Sequence, residues 1–311
     1  MTDPRIAVVG ATGAVGTVTL ELLAERGYEN VRAFASQRSA GRRVPFGDRE
    51  LVVEEATPDA LGAGELDICL FSAGTAASRE LVPPARDGGA VCIDKSAAFR
   101  LADGVPLVVP EVNGARARDH GGIVANPNCS TIPLTCVLKP LHDEARLAGV
   151  RVATYQSVSG AGAQRMERLR REQPDEHDLT VDWDFDGVEF DEEVKIRAES
   201  RKILELPSLP VSATCVRVPV IVGHSEAVWV ELERPLDAAG AAEVLAAAPG
   251  VRLESFPAPG KAAGTDDVLV GRLRQPSERE LALFLACDNL RKGAALNAIQ
   301  IAELLLERVA A

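Results

Sequence analysis

The chain opens on a short apolar strand that runs directly into a glycine turn and then a helix. Arg5–Val9 reads as the strand, and Gly10-Ala11-Thr12-Gly13-Ala14-Val15-Gly16 as the turn. Val15–Arg26 follows as a helix with Val15, Val18, Leu22 and Leu23 on one side. Glycines permit a tight turn and let backbone N–H groups approach a pyrophosphate at the helix N-terminus. The spacing is GxxGxxG rather than GxGxxG. Many glycine turns do no more than join a strand to a helix. Placement at the first strand–helix junction is what favours a dinucleotide here, with Gly10, Thr12, Gly13, Ala14, Val15 and Gly16 as the contacts.

The pattern continues in the same manner. Val31–Ala35, Asp67–Ser72 and Ala90–Asp94 read as further strands, with a helix expected between the last two. Strands alternating with helices imply α/β architecture with a doubly wound parallel sheet. Past about residue 130 the pattern changes. Val150–Ser157, Val211–Val222 and Ala227–Arg234 read as longer strands, several of them antiparallel, around a polar, acidic segment at Arg165–Glu193. This is the signature of a second, α+β domain. Lys292–Val309 has helical periodicity. The expected organisation is a dinucleotide-binding domain over 1–128, a catalytic and dimerisation domain over 129–289, and a C-terminal helix, 290–311, folding back on the first.

The end of the second strand bears on the choice of dinucleotide. An NAD site usually has an acid there to bind the ribose hydroxyls. This strand ends Ala35-Ser36-Gln37-Arg38-Ser39. Ser36, Arg38 and Ser39 suit a 2′-phosphate, which favours NADP; a solvated polar loop has the same composition.

Formal net charge is −12. That opposes a nucleic-acid partner, since phosphate binding needs an excess of Lys and Arg. No run approaches the roughly 18 apolar residues of a membrane span, and no targeting segment is evident at the N-terminus. A cytoplasmic protein with no membrane partner is expected. The six cysteines are scattered without CxxC spacing, as in a reduced, cytosolic enzyme, and no metal site is expected.

Cys129 stands apart from the other five. Asn126-Pro127-Asn128-Cys129-Ser130-Thr131-Ile132 marks a loop-to-helix transition, with Pro133 in a plausible first turn. A thiol at a helix N-terminus sits in positive potential among free N–H groups, which favour the thiolate and can hold an oxyanion. A buried structural cysteine is the usual alternative. It fits the others better than Cys129, whose surroundings are polar. Of the four histidines, His120, His142 and His177 read as solvated surface residues. His224, in Gly223-His224-Ser225-Glu226, falls between two strand patterns. A neutral imidazole there could take the thiol proton; a polar hairpin residue is the equal alternative.

Longer motifs extend these local readings. They are GATGAVG at Gly10–Gly16, LFSAG at Leu70–Gly74, PLVVPEVN at Pro106–Asn113 and NPNCSTI at Asn126–Ile132. YQSVSGAG at Tyr155–Gly162, ATCVRVPVIVGHSE at Ala213–Glu226, VGRLR at Val270–Arg274 and DNLRKGAALNAIQIAE at Asp288–Glu303 complete the set. Through nearly its whole length the chain resembles the bacterial aspartate-β-semialdehyde dehydrogenase family. The resemblance implies a two-domain NADPH-dependent oxidoreductase of amino-acid biosynthesis. It would convert L-aspartyl-4-phosphate to L-aspartate-4-semialdehyde through a cysteine thioester, and assemble as a homodimer or a dimer of dimers. It makes Cys129 the nucleophile, His224 the acid/base, and Gln156 the residue that orients the thioester. Arg217 would clamp the substrate carboxylate, and Glu192 would bind the ammonium. Lys195, Arg100 and Asn128 would hold phosphate. Ser72, Ser159, Gly160 and Asn289 would join the NADP contacts. Without the resemblance, Glu192 and Lys195 read as a solvated helix pair and Arg100 as a surface residue.

The chain departs from the family pattern in two places. The segment between Gly162 and Arg217 is shortened and lacks a PIAFN-like stretch that contributes to the subunit interface. Lys95, in Ile93-Asp94-Lys95-Ser96, replaces the usual Asn near the expected phosphate site. N-acetyl-γ-glutamyl-phosphate reductase shares the chemistry and is the alternative enzyme, as is a specialised paralogue with a related acyl donor. Arg217 with Glu192 and Lys195 speaks for a free amino-acid substrate. A non-catalytic NADP-binding protein is the alternative outside enzymes; intact Cys129, Gln156, Arg217 and His224 argue against it.

Overall fold

Alternation of β-branched and aliphatic residues along Ile6–Val9 sends Ile6 and Val8 to one side of a sheet and Ala7 and Val9 to the other. The computed structural model, which describes residues 3–171 and 183–306, has this strand near the centre of its first unit. Two compact units are present: Met1–Pro127 with Ala294–Ala311, and Asn128–Gly293.

In the first unit, β1 (Ile6–Val9), β2 (Val31–Ala35), β3 (Arg43–Phe46), β4 (Arg49–Glu55), β5 (Ile68–Phe71), β6 (Val91–Asp94) and β7 (Ile123–Ala125) form one sheet. Its order is β3-β4-β2-β1-β5-β6-β7. Every pairing is parallel except that of β3 with β4. Helices cover both faces, as a doubly wound sheet requires. On one, Ile6 and Val8 join Leu20, Leu22 and Leu23 of helix α1 (Ala14–Glu25) and Leu296, Ile299 and Ile301 of the C-terminal helix Leu296–Leu306. On the other, Ala7, Val9 and Phe71 meet Leu81, Val82 and Ala85 of helix α2 (Thr75–Asp87).

The second unit has a mixed sheet of β8 (Leu147–Gln156), β9 (Val211–Arg217), β10 (His224–Leu232), β11 (Val251–Leu253), β12 (Val268–Ser277) and β13 (Glu280–Cys287). The order is β11-β12-β13-β10-β8-β9, with β9 parallel to β8 and the central pairings antiparallel. One face packs against helices α3 (Thr131–Ala145) and α4 (Asp191–Leu204). The other leaves Tyr155, Val216 and Trp229 partly exposed.

Three expected boundaries move. The strand expected over Val211–Val222 stops at Arg217. Val218–Val222 instead bonds back to the loop after β8, with Val158 and Ser159 N–H donating to the carbonyls of Val220 and Ile221. His224 is not in a loop but is the first residue of β10, paired with Cys287 of β13. β9 and β10 also flank β8 rather than each other, so no hairpin joins them. The expected C-terminal helix starts at Leu296, after a wider turn at Arg291–Ala295. The acidic segment from 172 to 182, which includes His177, lies outside the described residues, as does 307–311.

Candidate active site

In the first unit the glycine turn is built for close approach. Gly10 has φ +89°, and a Cβ there would lie 2.5 Å from the Ser72 carbonyl oxygen. A Cβ on Gly16 would lie 2.1 Å from the Gly10 carbonyl oxygen. No side chain caps α1 at Gly13, which leaves its first-turn N–H groups without a side-chain acceptor, as an anion site requires. Thr12 Oγ1 donates to Ser39 Oγ at 3.3 Å, which joins the turn to the end of β2. Ser36 and Arg38 are exposed there. These residues fit a dinucleotide phosphate. Alanine at Arg38 is expected to weaken NADPH binding by roughly tenfold to a hundredfold and to spare NADH, as a charge-assisted contact of ~1.5–3 kcal/mol is lost. Fluorescence titration with both cofactors measures this; equal weakening of both contradicts it.

Arg100 is buried rather than solvated. Its Nε donates to the Asn126 carbonyl at 3.1 Å and its Nη2 to the Lys95 carbonyl at 2.7 Å. Lys95 Nζ donates to Thr19 Oγ1 on α1 at 3.2 Å, and burial pushes its pKa down to about 7.

The second unit gathers the remaining candidates at one end of its sheet. Alternation along β8, β9 and β10 turns Gln156, Arg217 and His224 to the helix-covered face. Gln156 is in register with Arg217, and Tyr155 with Ser225. Cys129 lies just before Ser130, the N-cap of α3. The Asn128 side-chain oxygen accepts from Ser130 N–H at 2.8 Å and fixes the turn that presents the thiol. Cys129 Sγ is 3.3 Å from His224 Nε2. It is partly accessible, whereas the other five cysteines are buried. Gly293 packs so closely that a Cβ would sit 3.1 Å from that of Cys129.

Glu192, in the first turn of α4, is only 4% exposed. The solvated-pair reading therefore fails for it. Its Oε1 accepts from Asn128 Nδ2 at 2.9 Å and from Gln156 Nε2 at 3.1 Å. Lys195 Nζ lies 3.6 Å from its other oxygen and 2.6 Å from Asp191. Glu199 adds to the same frame, accepting from Asn128 N–H at 2.7 Å. Arg217 is 4% exposed; its Nη1 donates to the Ser157 carbonyl at 2.9 Å and its guanidinium lies over the Trp183 ring at 4.7 Å. Gly160 leaves room for both neighbours, since a Cβ there would be 3.0 Å from Arg217 Nη1 and 3.4 Å from His224 Nε2.

His224 is fully buried. Burial, with the Arg217 charge nearby, pushes its pKa down to about 3. The imidazole is therefore neutral at working pH. Ser157, Ser159 and Asn289 surround its Nδ1 side. Ser157, Trp183 and Glu199 escaped the sequence reading; the only local signal was the adjacency of Ser157 to Gln156. A ring in contact with a thiol, in the same unit as a buried guanidinium and a buried carboxylate, suits acyl transfer on sulfur.

The semialdehyde dehydrogenase NAD-binding domain matches residues 5–120, and the semialdehyde dehydrogenase dimerisation domain matches 138–183 and 180–292. The chain is 47% identical over 336 residues to an aspartate-semialdehyde dehydrogenase of Streptomyces akiyoshiensis, covering 96% of this chain and 98% of that one. The chain belongs to the aspartate-semialdehyde dehydrogenase family. Another family member, from Corynebacterium glutamicum, is 45% identical over 343 residues, with 97% and 99% covered. Aspartate semialdehyde dehydrogenase II of Vibrio cholerae, solved in complex with ASA, superposes with a TM-score of 0.93 at 37% identity, covering 99% of each chain. The dimerisation domain's two matched stretches meet at 180–183, inside the segment that is short relative to the family pattern.

Glu226 lies two residues beyond His224 on the same strand face, fully buried. Neither carboxylate oxygen has a hydrogen-bond partner among the described residues. Burial raises its pKa well above the ordinary range, which favours the protonated acid. With the folded pKa above the unfolded one, its burial is harmless below the unfolded carboxylate range. It costs stability as pH rises from there towards the folded value. Glu226→Gln is expected to match wild type near about pH 4.5 and to melt a few degrees higher at about pH 8. A melting-temperature difference that does not change with pH contradicts this.

Among the described residues, no helix is long and apolar enough to cross a membrane, and no group of three or more His, Cys, Asp or Glu is placed to hold a metal ion.

Proposed function

We propose that this protein is a phosphorylating, NADP-dependent aspartate-semialdehyde dehydrogenase that works through a thioester on Cys129. The observation that carries this reading is the 3.3 Å contact between Cys129 Sγ and His224 Nε2, within the buried frame of Gln156, Glu192 and Arg217. The thiolate attacks the acyl carbon of L-aspartyl-4-phosphate. The carbon–oxygen bond to phosphate breaks, and phosphate leaves. Arg217 grips the substrate carboxylate with its planar fork, and Glu192 takes the ammonium. Gln156 orients the thioester carbonyl, and Asn128 and Lys195, with Arg100, receive phosphate. When bound at Gly10–Gly16, Ser36, Arg38, Ser39 and Ser72, with Ser159, Gly160 and Asn289, NADPH supplies the hydride that brings the thioester to the aldehyde level. Carbon–sulfur cleavage then releases the semialdehyde and returns the thiolate. A cytoplasmic setting keeps the six thiols reduced.

The test is NADP reduction by aspartate semialdehyde with and without phosphate or arsenate. Rapid, phosphate-dependent reduction is expected. Activity with N-acetylglutamate semialdehyde instead identifies the other acyl-phosphate reductase, and no activity with either contradicts an enzyme of this class.

Association as a homodimer, or a dimer of dimers, is supported by the matched dimerisation domain and by the exposed Tyr155, Val216 and Trp229 on the outer sheet face. Light scattering over a concentration series is expected to give at least twice the chain mass. A strict monomer contradicts it.

A further inference from the structure

Neighbouring residues on a helix point about 100° apart, so the first turn of α4 sends its acids to different elements. Glu192 turns to Asn128 and Gln156. Glu193, also buried, turns to β9. Its Oε1 accepts from Cys215 N–H at 2.9 Å. Its Oε2 accepts from the N–H of Phe190, the N-cap of α4, at 2.9 Å. One carboxylate therefore closes the start of the helix and covers the outer edge of β9, the strand that ends its sheet beside β8. The far end of α4 is tied separately, by Arg201 Nε to the Leu209 carbonyl at 2.7 Å. The tie at Glu193 lies at the substrate end. It is one residue from Glu192 and, along β9, two residues or about 7 Å from Arg217. Arg217 is itself held from the other side, by β8 in register at Gln156 and by the Ser157 carbonyl.

We propose that Glu193 is a positioning residue for substrate recognition: it holds the first turn of α4 to β9 at the spacing that lets Glu192 and Arg217 take one α-amino acid between them, and so sets the preference for a semialdehyde with an α-ammonium over one without. The inference deepens the proposed function and rests on Glu192 and Arg217 being the ammonium and carboxylate ligands. In that substrate the ammonium and the carboxylate are attached to one carbon, so covalent geometry fixes their separation. The two ligands must match it, yet one comes from a helix and the other from a strand. Arg217 keeps its place through the sheet and the Trp183 ring. Glu192 rides on α4. Asn128 and Gln156 reach one of its oxygens, whereas the Glu193 bonds hold the backbone that carries it. A carboxylate suits this position because both of its oxygens face N–H donors; an amide would present its NH2 to one of them. Releasing the turn lets Glu192 drift while Arg217 stays, so the ammonium grip weakens and the carboxylate grip remains. A misplacement of about 1 Å costs on the order of a hundredfold in a fitted site, and partial release is expected to cost about tenfold.

Two aldehydes separate positioning from plain stability: aspartate semialdehyde, and succinate semialdehyde, which has the same chain and carboxylate but no ammonium. Phosphate-dependent NADP reduction is measured with each, and the ratio of the two kcat/KM values is the readout. The wild-type ratio is expected to be at least about a hundredfold. In Glu193→Ala the efficiency with aspartate semialdehyde is expected to fall about tenfold and that with succinate semialdehyde less than about twofold, so the ratio narrows. The KM for NADP and the rate at which iodoacetamide labels Cys129 are expected to match wild type. Glu193→Gln keeps one acceptor and should fall between the two. An unchanged ratio in folded Glu193→Ala, or an equal loss with both aldehydes, leaves Glu193 a helix cap alone and overturns the proposal. If Glu193→Ala does not fold, the ratio in the isosteric Glu193→Gln decides: narrowing by about threefold or more supports the proposal, and no narrowing overturns it. Glu192→Gln, which removes the ligand's own charge, tests the reading beneath. Narrowing there, with none in the Glu193 variants, leaves the proposed function standing and rejects the positioning role. An unaltered ratio in Glu192→Gln, or no reduction of NADP by wild type with aspartate semialdehyde, rejects the underlying reading itself.

Discussion

Alanine at Cys129 is expected to lower turnover on the order of 10⁴-fold or more, the scale on which removal of a covalent nucleophile acts. The thiol is the one partly accessible cysteine among six and lies 3.3 Å from His224 Nε2. Cys69, Cys92, Cys136, Cys215 and Cys287 are buried, and for Cys92, Cys215 and Cys287 burial is among the causes that hold the thiol in its protonated, unreactive form. Iodoacetamide should therefore label Cys129 first, and substrate should protect it. Peptide mapping after partial labelling checks the order. Full activity of Cys129→Ala, or faster labelling of any other cysteine, contradicts the assignment.

Lysine at Arg217 is expected to lower kcat/KM for aspartate semialdehyde by roughly tenfold to a thousandfold, taking ~1.5–4 kcal/mol for a misplaced charged contact. Arg217 is positioned by two contacts, with the Ser157 carbonyl and the face of Trp183, beside the gap left by Gly160. Lysine keeps the charge but has no planar fork, so a two-point grip on a carboxylate is lost. The affinity for NADPH is expected to be unchanged, because its proposed phosphate site is the glycine turn at Gly10–Gly16. If Arg217 serves only to fasten Trp183 and the Ser157 loop, the substitution lowers melting temperature and spares kinetics. Steady-state kinetics and thermal unfolding on one preparation separate the two, and unchanged efficiency removes Arg217 from the site.

The parts of this molecule that were legible in its sequence are those whose chemistry is local. The glycine turn after β1 requires glycine because backbone passes against backbone within a few residues. Cys129 stands out because Asn, Ser and Pro mark the start of α3. What sequence could not show depends on burial, which is set by distant chain. Glu192 and Arg100 have the side chains of surface residues, yet both are enclosed by elements remote in sequence. The pairing of Ser157 with His224 spans 67 residues. The edge hairpin β3–β4 gives little signal because its residues are mostly solvent-facing, so the apolar alternation that marks a strand is weak. Gly223 and Ser225 give the surroundings of His224 the composition of a turn, yet its neighbours in space are strands.

A single-turnover experiment tests the central claim most directly. Enzyme is mixed with aspartate semialdehyde and NADP in phosphate-free buffer, quenched in acid and digested. The prediction is a burst of about one NADPH per chain and an aspartyl group on the peptide carrying Cys129, discharged when phosphate is added before the quench. NADPH formation without acylated peptide, or an acyl group on any other residue, would contradict it.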